Sequence, residues 1–556
     1  MSGRGRRADA GSRPDTGPVL PQLLLVLVGA LALTIVSVRR GWQAPLVLAV
    51  CGAAVSFVPG LPRLELPPDV ILSVVLPPLL FSTTTGFSWR GFVRRWRSIT
   101  NLGVLLVVVT TAAVGAVAAY AVPWLGLGTA LVLAAVVSPP DAVTAVAIGG
   151  RLGLPTRVLT TLKGESLVND AAALTLFSTA TAAVAGTETL VENPVLFFLV
   201  EAAGGILLGA VLGRLVHLVR TRLHNPANMT ALAVLTPFTA YAVAEALETS
   251  GVLAVVAAGF ALSRRSVRTV YATRIAEREV WNLLDVLLEA FVFAYLGLQF
   301  RFLLADALDA GTSATGLLGA GLVVLAAVVA VRAVWVLGGG LLMRRVLHGR
   351  FSPGGRHYTA REDLVIAWTG MRGVVTLAAA AGIPATTSTG EPFPHRADLQ
   401  VLAFGVAVGT LLLQGSTLPA LIRRLHLEAP EEREWLDEQR RRARELSSRT
   451  ARAELRAAHD EAGDPVQRHV AELVLERAEQ LAALRAADDA DQEAASEGRR
   501  AAETGVALRR RAIRAQRAAL VAAQEEGRIA EEAVAEALEQ LDLDEASLSH
   551  RSSPRL

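Results

Sequence analysis

The stretch KGESLVNDAAALTLF, Lys163 to Phe177, places Glu165, Ser166, Asn169 and Asp170 within six residues and then turns apolar. Wound as an α-helix at about 100° per residue, these four side chains fall within an arc of roughly 140°, and Ala171 to Phe177 supply the apolar remainder. One side of a helix is therefore polar inside a chain that is not. With 52% hydrophobic residues and a mean hydropathy of +0.43, the chain is dominated by long apolar runs and reads as a membrane protein. An ionisable residue at the centre of a span costs about 2.5–3.5 kcal/mol on the insertion scale, which makes each one a candidate functional residue.

Working outward, apolar runs near the length needed to cross a bilayer occur at about 19–38, 44–60, 69–86, 100–122, 126–150, 165–186, 194–218, 229–247, 250–263, 281–300, 315–343, 362–383 and 399–422. The expectation is an all-α polytopic membrane protein of about thirteen transmembrane helices, with a short tail over 1–18, a membrane domain over 19–425 and a helical soluble tail over 426–556. Basic loops, such as those holding Arg39/Arg40, Arg151/Arg157/Lys163 and Arg423/Arg424, alternate with neutral or acidic ones such as PWLGLG. The positive-inside rule then puts the basic loops and the C-terminal tail in the cytoplasm. An odd number of spans leaves the N-terminus outside, against the pull of Arg4, Arg6, Arg7 and Arg13. Either the later loops overrule that tail, or the first segment is not a true span. A cleaved signal peptide fits poorly, since no clean small-x-small site follows the long apolar run.

Three further places break the apolar pattern. VVSPPDAVTAVAIGG puts Pro139, Pro140 and Asp141 in mid-span, where two prolines remove two amide donors and force a break near Ser138. IAWTGMRGVVTLAAAAG sets Arg372 between Gly370 and Gly373, where a guanidinium needs a carboxylate or released carbonyls. LPPLLFSTTTGF carries Ser82 and three threonines, weaker evidence because hydroxyls satisfy themselves on their own helix. The two Gly/Pro-interrupted spans are fifth and twelfth in order, so they run oppositely through the bilayer. Paired, broken, crossing spans point to an inverted-repeat secondary transporter. A second carboxylate close to Glu165 leaves Asp170 without an obvious cation, and a permeant cation is the partner it lacks. A buried Arg–Glu pair, by contrast, is as readily structural as functional.

LPPLLF, SPPDAVTAVAI, GESLVNDAAALTLF, FVFAYLGLQF and GMRGVVTLAAA occur together in an order that resembles the sodium/proton exchangers, the monovalent cation:proton antiporter family 1, in its bacterial branch. The resemblance covers about residues 19–425. It implies antiport of Na⁺ and H⁺ across the plasma membrane by a homodimer without a cofactor. It implies that Asp170 binds cation and proton in turn, with Ser166 as an oxygen ligand, Asn169 beside it, and Asp141 and the Pro140 carbonyl at the unwound crossing. Glu165 is expected to pair with Arg372. Two departures stand out: the crossing lacks the threonine of the family pattern, and Ser82 occupies a position where many relatives carry glutamate. Electrogenic relatives have an aspartate where this chain has Asn169, which implies electroneutral one-for-one exchange.

The segment from Leu427 onward carries 29 acidic and 21 basic side chains, against 22 and 33 in the rest of the chain. It shows helical spacing but no nucleotide loop, zinc spacing or helix-turn-helix pattern, and no nucleic-acid partner is expected. The single cysteine, Cys51, lies in an apolar run and excludes an intrachain disulfide. Competing readings are a K⁺/H⁺ exchanger or channel, an intramembrane protease using Asp141 and Asp170 as its acid pair, and a membrane anchor for the tail. The protease leaves Arg372 and the broken spans unexplained, and an anchor has no use for buried charge.

Overall fold

The computed structural model describes residues 19–427 apart from 65, 86–88, 187–193, 224, 264–270 and 347–357, together with isolated residues between 438 and 472. Contacts divide the chain into two compact units, Met1–Glu428 and Ala429–Leu556. The second is described only at isolated helical residues, so the expected helical tail, like the N-terminal tail over 1–18, lies outside the described residues.

The first unit is helical, and the described residues contain no strand beyond an isolated bridge between Thr386 and Pro392. In chain order the helices are α1 (Val19–Arg40), α2 (Ala44–Ser56), α3 (68–85), α4 (89–121), α5 (Leu127–Val137), α6 (Val143–Arg151), α7 (Thr156–Ala185), α8 (Pro194–Arg220), α9 (Pro226–Ala246), α10 (Gly251–Ser263), α11 (Tyr271–Asp309), α12 (Ala314–Val346), α13 (Ala360–Trp368), α14 (Val374–Ala381) and α15 (Arg396–Leu425). Eight of these rods contain stretches long and apolar enough to cross a membrane. Their outward faces carry Leu25, Leu207, Leu318 and Val334, each about two-thirds exposed or more. Such a belt fits lipid contact, and helices are the elements that satisfy their own backbone there.

Both breaks fall where the sequence puts them. α5 stops at Val137, ahead of Pro139 and Pro140, and α6 starts at Val143; α13 stops at Trp368, and α14 starts beyond the Gly370–Gly373 stretch. Between α9 and α10 the short segment Glu248–Ser250 separates two helices rather than bending one, with Glu248 in the left-handed region at φ 52°. Three π-helical turns, at 71–75, 101–105 and 411–415, interrupt α3, α4 and α15. The third begins just after Thr410, a residue of the site below. α8 and α10 pack through small residues: a methyl on Gly209 would stand 2.1 Å from the Ala254 carbonyl oxygen. Backbone proximity of this kind drives helix association where no hydrophobic gradient exists.

Candidate functional site

The two broken spans meet backbone to backbone. The Asp141 amide donates to the Met371 carbonyl at 2.6 Å, and the Asp141 carboxylate lies against Gly373 so closely that a Cβ there would stand 1.7 Å from Oδ2. Only glycine permits this approach. Asp141 also accepts from the Val143 amide at 2.8 Å, placing a carboxylate at the positive N-terminal end of α6.

Arg372 serves the opposite end of the break. Its Nε donates to the Val137 carbonyl at 2.8 Å, Nη1 to the Gly370 carbonyl and Nη2 to the Ser138 carbonyl at 3.4 Å, while its backbone amide donates to Thr410 Oγ1 at 2.9 Å. The guanidinium thus meets carbonyls that the end of α5 and the break at Gly370 leave without helical amides. Of the two partners the sequence allows, released carbonyls are the ones used.

The expected Glu165–Arg372 pair is accordingly replaced. Glu165 is held by both terminal nitrogens of Arg332, Nη1 on Oε1 and Nη2 on Oε2 at 3.1 Å. Arg332 also donates from Nε and Nη2 to the Ile366 carbonyl at 3.1 and 2.9 Å. Both side chains are about 2% exposed. This two-point pair ties α7 to α12, and the carbonyl bonds tie α12 to α13. The correction has a simple cause: Arg372 is engaged by carbonyls at the crossing, and Arg332 brings a second guanidinium to the carboxylate.

The remaining expected residues gather on the other side of the α7 arc. Ser166 and Asp170 are half-buried, as is Asp141, whereas Glu165 and Asn169 are closed off. Asp170 faces the Asp141 carboxylate, and no cationic side chain among the described residues neutralises it. Ser166 Oγ accepts the Ala142 amide at a long 3.4 Å. Asn169 donates from Nδ2 to the Pro140 carbonyl at 2.7 Å, which fixes its amide orientation. Its Oδ1 is buried without a partner. An orphaned oxygen beside an unpaired carboxylate is a donor set for a hard cation.

Ser82 donates to the Leu79 carbonyl at 2.9 Å and lies within hydrogen-bond reach of Asp285. Asp285 and Glu289, one turn apart on α11, were not among the expected site residues: Glu289 faces both Asp285 and Asp141. Arg332 and Thr410 were likewise not among them. Arg332 and the two acids each break an apolar helix, the signal that marked Asp170, and Arg332 stands alone in VVAVRAVWV.

This architecture is shared. The sequence profile described as "Sodium/hydrogen exchanger, transmembrane" matches residues 23–424. The chain belongs to the sodium/hydrogen exchanger family. It is 34% identical over 391 residues to the uncharacterized Na(+)/H(+) exchanger YjcE of Escherichia coli, covering 68% of this chain and 71% of that one. To the low-affinity Na(+)/H(+) antiporter NhaS1 of Synechocystis it is 30% identical, with 73% and 75% covered. A Bacillus subtilis protein named as a sodium, potassium, lithium and rubidium/H(+) antiporter is 32% identical over 68% of this chain and 57% of its own length. Among solved structures, the sodium proton antiporter MjNhaP1 of Methanocaldococcus jannaschii superposes with a TM-score of 0.59 at 17% identity, covering 74% of this chain and 99% of that one. That likeness establishes the fold.

Proposed function

We propose that this protein is a secondary active antiporter that exchanges one monovalent cation, Na⁺ foremost, for one proton at Asp170. The observation that carries the reading is the half-buried Asp170 at the crossing of two broken helices, with no cationic side chain among the described residues to neutralise it. A bare carboxylate in a low-dielectric site is too costly to carry across a membrane. Asp170 therefore changes sides only when a proton or a cation cancels its charge, and the competition between the two is the exchange.

The chain's own residues supply the selectivity of that competition. The Ser166 hydroxyl, the orphaned Asn169 Oδ1 and the half-buried Asp141 bring oxygen toward a cation at Asp170, and the Pro140 carbonyl retains one lone pair beyond its bond from Asn169. The Glu165–Arg332 pair and the Arg372 caps hold the frame. Asn169 carries no charge in either state, which supports electroneutral stoichiometry. The reading further includes thirteen crossings with inverted repeats, a homodimer, a plasma-membrane location and a cytoplasmic tail. Sodium and the proton are cargo, and no resident cofactor is part of the reading.

K⁺ is a second candidate cargo. It is favoured by the Bacillus relative's named breadth and by a serine at position 82, which leaves α3 without a carboxylate there. The test is proton movement in proteoliposomes loaded acid-inside, with Na⁺, K⁺, Li⁺ or Rb⁺ added separately, for the wild type beside Asp170→Asn. Cation-dependent alkalinisation that persists with the membrane potential clamped and disappears in the variant supports the proposal. Exchange by the variant refutes the site. Absence of proton coupling to every cation refutes antiport.

A further inference from the structure

Another buried acid packs against a different face of α7. Glu201 of α8 is 7% exposed, and its Oε2 is buried without a hydrogen-bond partner. Its carboxyl group faces the hydroxyls of Ser178 and Thr179 on α7 and the carboxylate of Glu245 on α9. Among the described residues, no basic side chain pairs with Glu201. α7 and α10 present no charged side chain to this junction: from α10's leading edge comes Ser250, whose amide donates to the Glu201 carbonyl at 3.1 Å and whose hydroxyl meets Thr175 at 3.2 Å.

The direction of the hydrogen bonds decides what the carboxyl group carries. Thr179 spends its only hydroxyl proton on the Thr175 carbonyl at 2.9 Å, so it offers Glu201 lone pairs alone. A carboxylate here still accepts from Ser178, but it faces the lone pairs of Thr179 and a second carboxylate, and its Oε2 has no donor. A protonated carboxyl group donates to Thr179 and accepts from Ser178. Glu245 is exposed at the end of α9, which gives a proton a route between this junction and water. Ser178 lies eight residues beyond Asp170, about 12 Å along the helix.

We propose that Glu201 is a second proton-binding site, separate from Asp170, with its proton donated to Thr179 and exchanged with water past Glu245. The site takes a proton and no metal cation, and the proposal goes beyond the exchange reaction: it holds whether or not the transported ion is sodium.

Infrared difference spectroscopy of the full-length protein in lipid, recorded between acid and alkaline pH, reads protonated carboxyl groups directly. A carbonyl-stretch band of a protonated carboxyl group is expected in the wild type, retained in Asp170→Asn and absent in Glu201→Gln. Thr179→Val, nearly isosteric, should keep the band but move its position, because the acceptor is gone. An unchanged spectrum in Glu201→Gln overturns the site. If Glu201→Gln fails to fold, an unmoved band in Thr179→Val overturns it instead. Removal of the band by Na⁺ or K⁺ at constant pH, in Asp170→Asn, would make this a cation site and likewise overturn the proposal.

Discussion

Glu165 and Asp170 stand five residues apart on one helix, about 7.5 Å in axial rise, yet their surroundings differ in kind. Glu165 is sealed, and both of its oxygens are bonded to Arg332. Asp170 is half-open and faces another acid. A carboxylate that the protein has already neutralised is architecture, and one that it leaves unneutralised is where an outside charge must come. Burial separates them only in degree, and sequence spacing does not separate them in kind. The presence or absence of an internal counter-charge does.

The same chemical change at the two positions should therefore give opposite signatures. Asp170→Asn is expected to abolish cation-dependent proton movement while leaving insertion and thermal stability at or above the wild-type level, since it removes an uncompensated charge. Glu165→Gln is expected to do the reverse in stability, leaving Arg332 buried and uncompensated at a cost of about 3–5 kcal/mol. Thermal unfolding in detergent, measured beside transport, checks both. If Asp170→Asn unfolds the protein and Glu165→Gln does not, the division of roles fails.

A double substitution sharpens the point. Removing both charges, with Glu165→Leu and Arg332→Met together, should recover most of the stability lost in either single variant, because a buried pair is often replaceable by apolar side chains of similar size. The matching double change with Arg372 in place of Arg332 should recover far less: Arg372 bonds only to carbonyls, at Val137, Gly370 and Ser138, whereas the Ile366 carbonyl that Arg332 also caps keeps the Thr369 hydroxyl. A double-mutant cycle by thermal unfolding measures the coupling. A strong Glu165–Arg372 coupling with a weak Glu165–Arg332 coupling would reverse the assignment drawn from the geometry.

Much of this was legible in the chain. Pro139, Pro140, Gly370 and Gly373 announce their breaks because ring closure and a missing Cβ act locally, whatever the fold. The ion-facing group of Ser166, Asn169 and Asp170 is legible because helical spacing alone puts it on one side of α7. Glu165's partner is not, because the choice between Arg332 and Arg372 depends on which guanidinium the α5 carbonyls claim first, a fact of three-dimensional packing. Glu289 was hidden for a related reason. It lies two residues ahead of Phe291, where FVFAYLGLQF begins, and nothing local says that α11 turns it toward Asp141.

Crowding at the crossing yields a smaller expected effect. Gly373→Ala would drive a Cβ to within 2.5 Å of the Asp141 Cγ, so the carboxylate must move away from the break. Exchange should fall by up to roughly a hundredfold, the order of magnitude that a misplacement of about 1 Å costs. Gly405→Ala is the control, since a Cβ there meets nothing within 4 Å, and it should leave exchange unchanged. Equal rates in the two variants would show that the position of Asp141 is immaterial.

The smallest effect belongs to Ser166, and it is the most discriminating. Its hydroxyl oxygen holds the Ala142 amide only at 3.4 Å, too weakly for the fold to depend on it. If that oxygen serves the cation, Ser166→Ala should remove about 1 kcal/mol of binding, a rise of roughly fivefold in the apparent KM for Na⁺. The maximal rate should stay, because Asp170 still alternates between cation and proton. Competition keeps its sign as well: added protons occupy Asp170 and raise the apparent KM for the cation, in the variant as in the wild type. A Ser166 that only packs the helix would give a different result, with the rate and KM both unchanged or the rate alone reduced. Cation titrations at two pH values separate these outcomes, and a KM that ignores the substitution at both would remove Ser166 from the unneutralised side of α7.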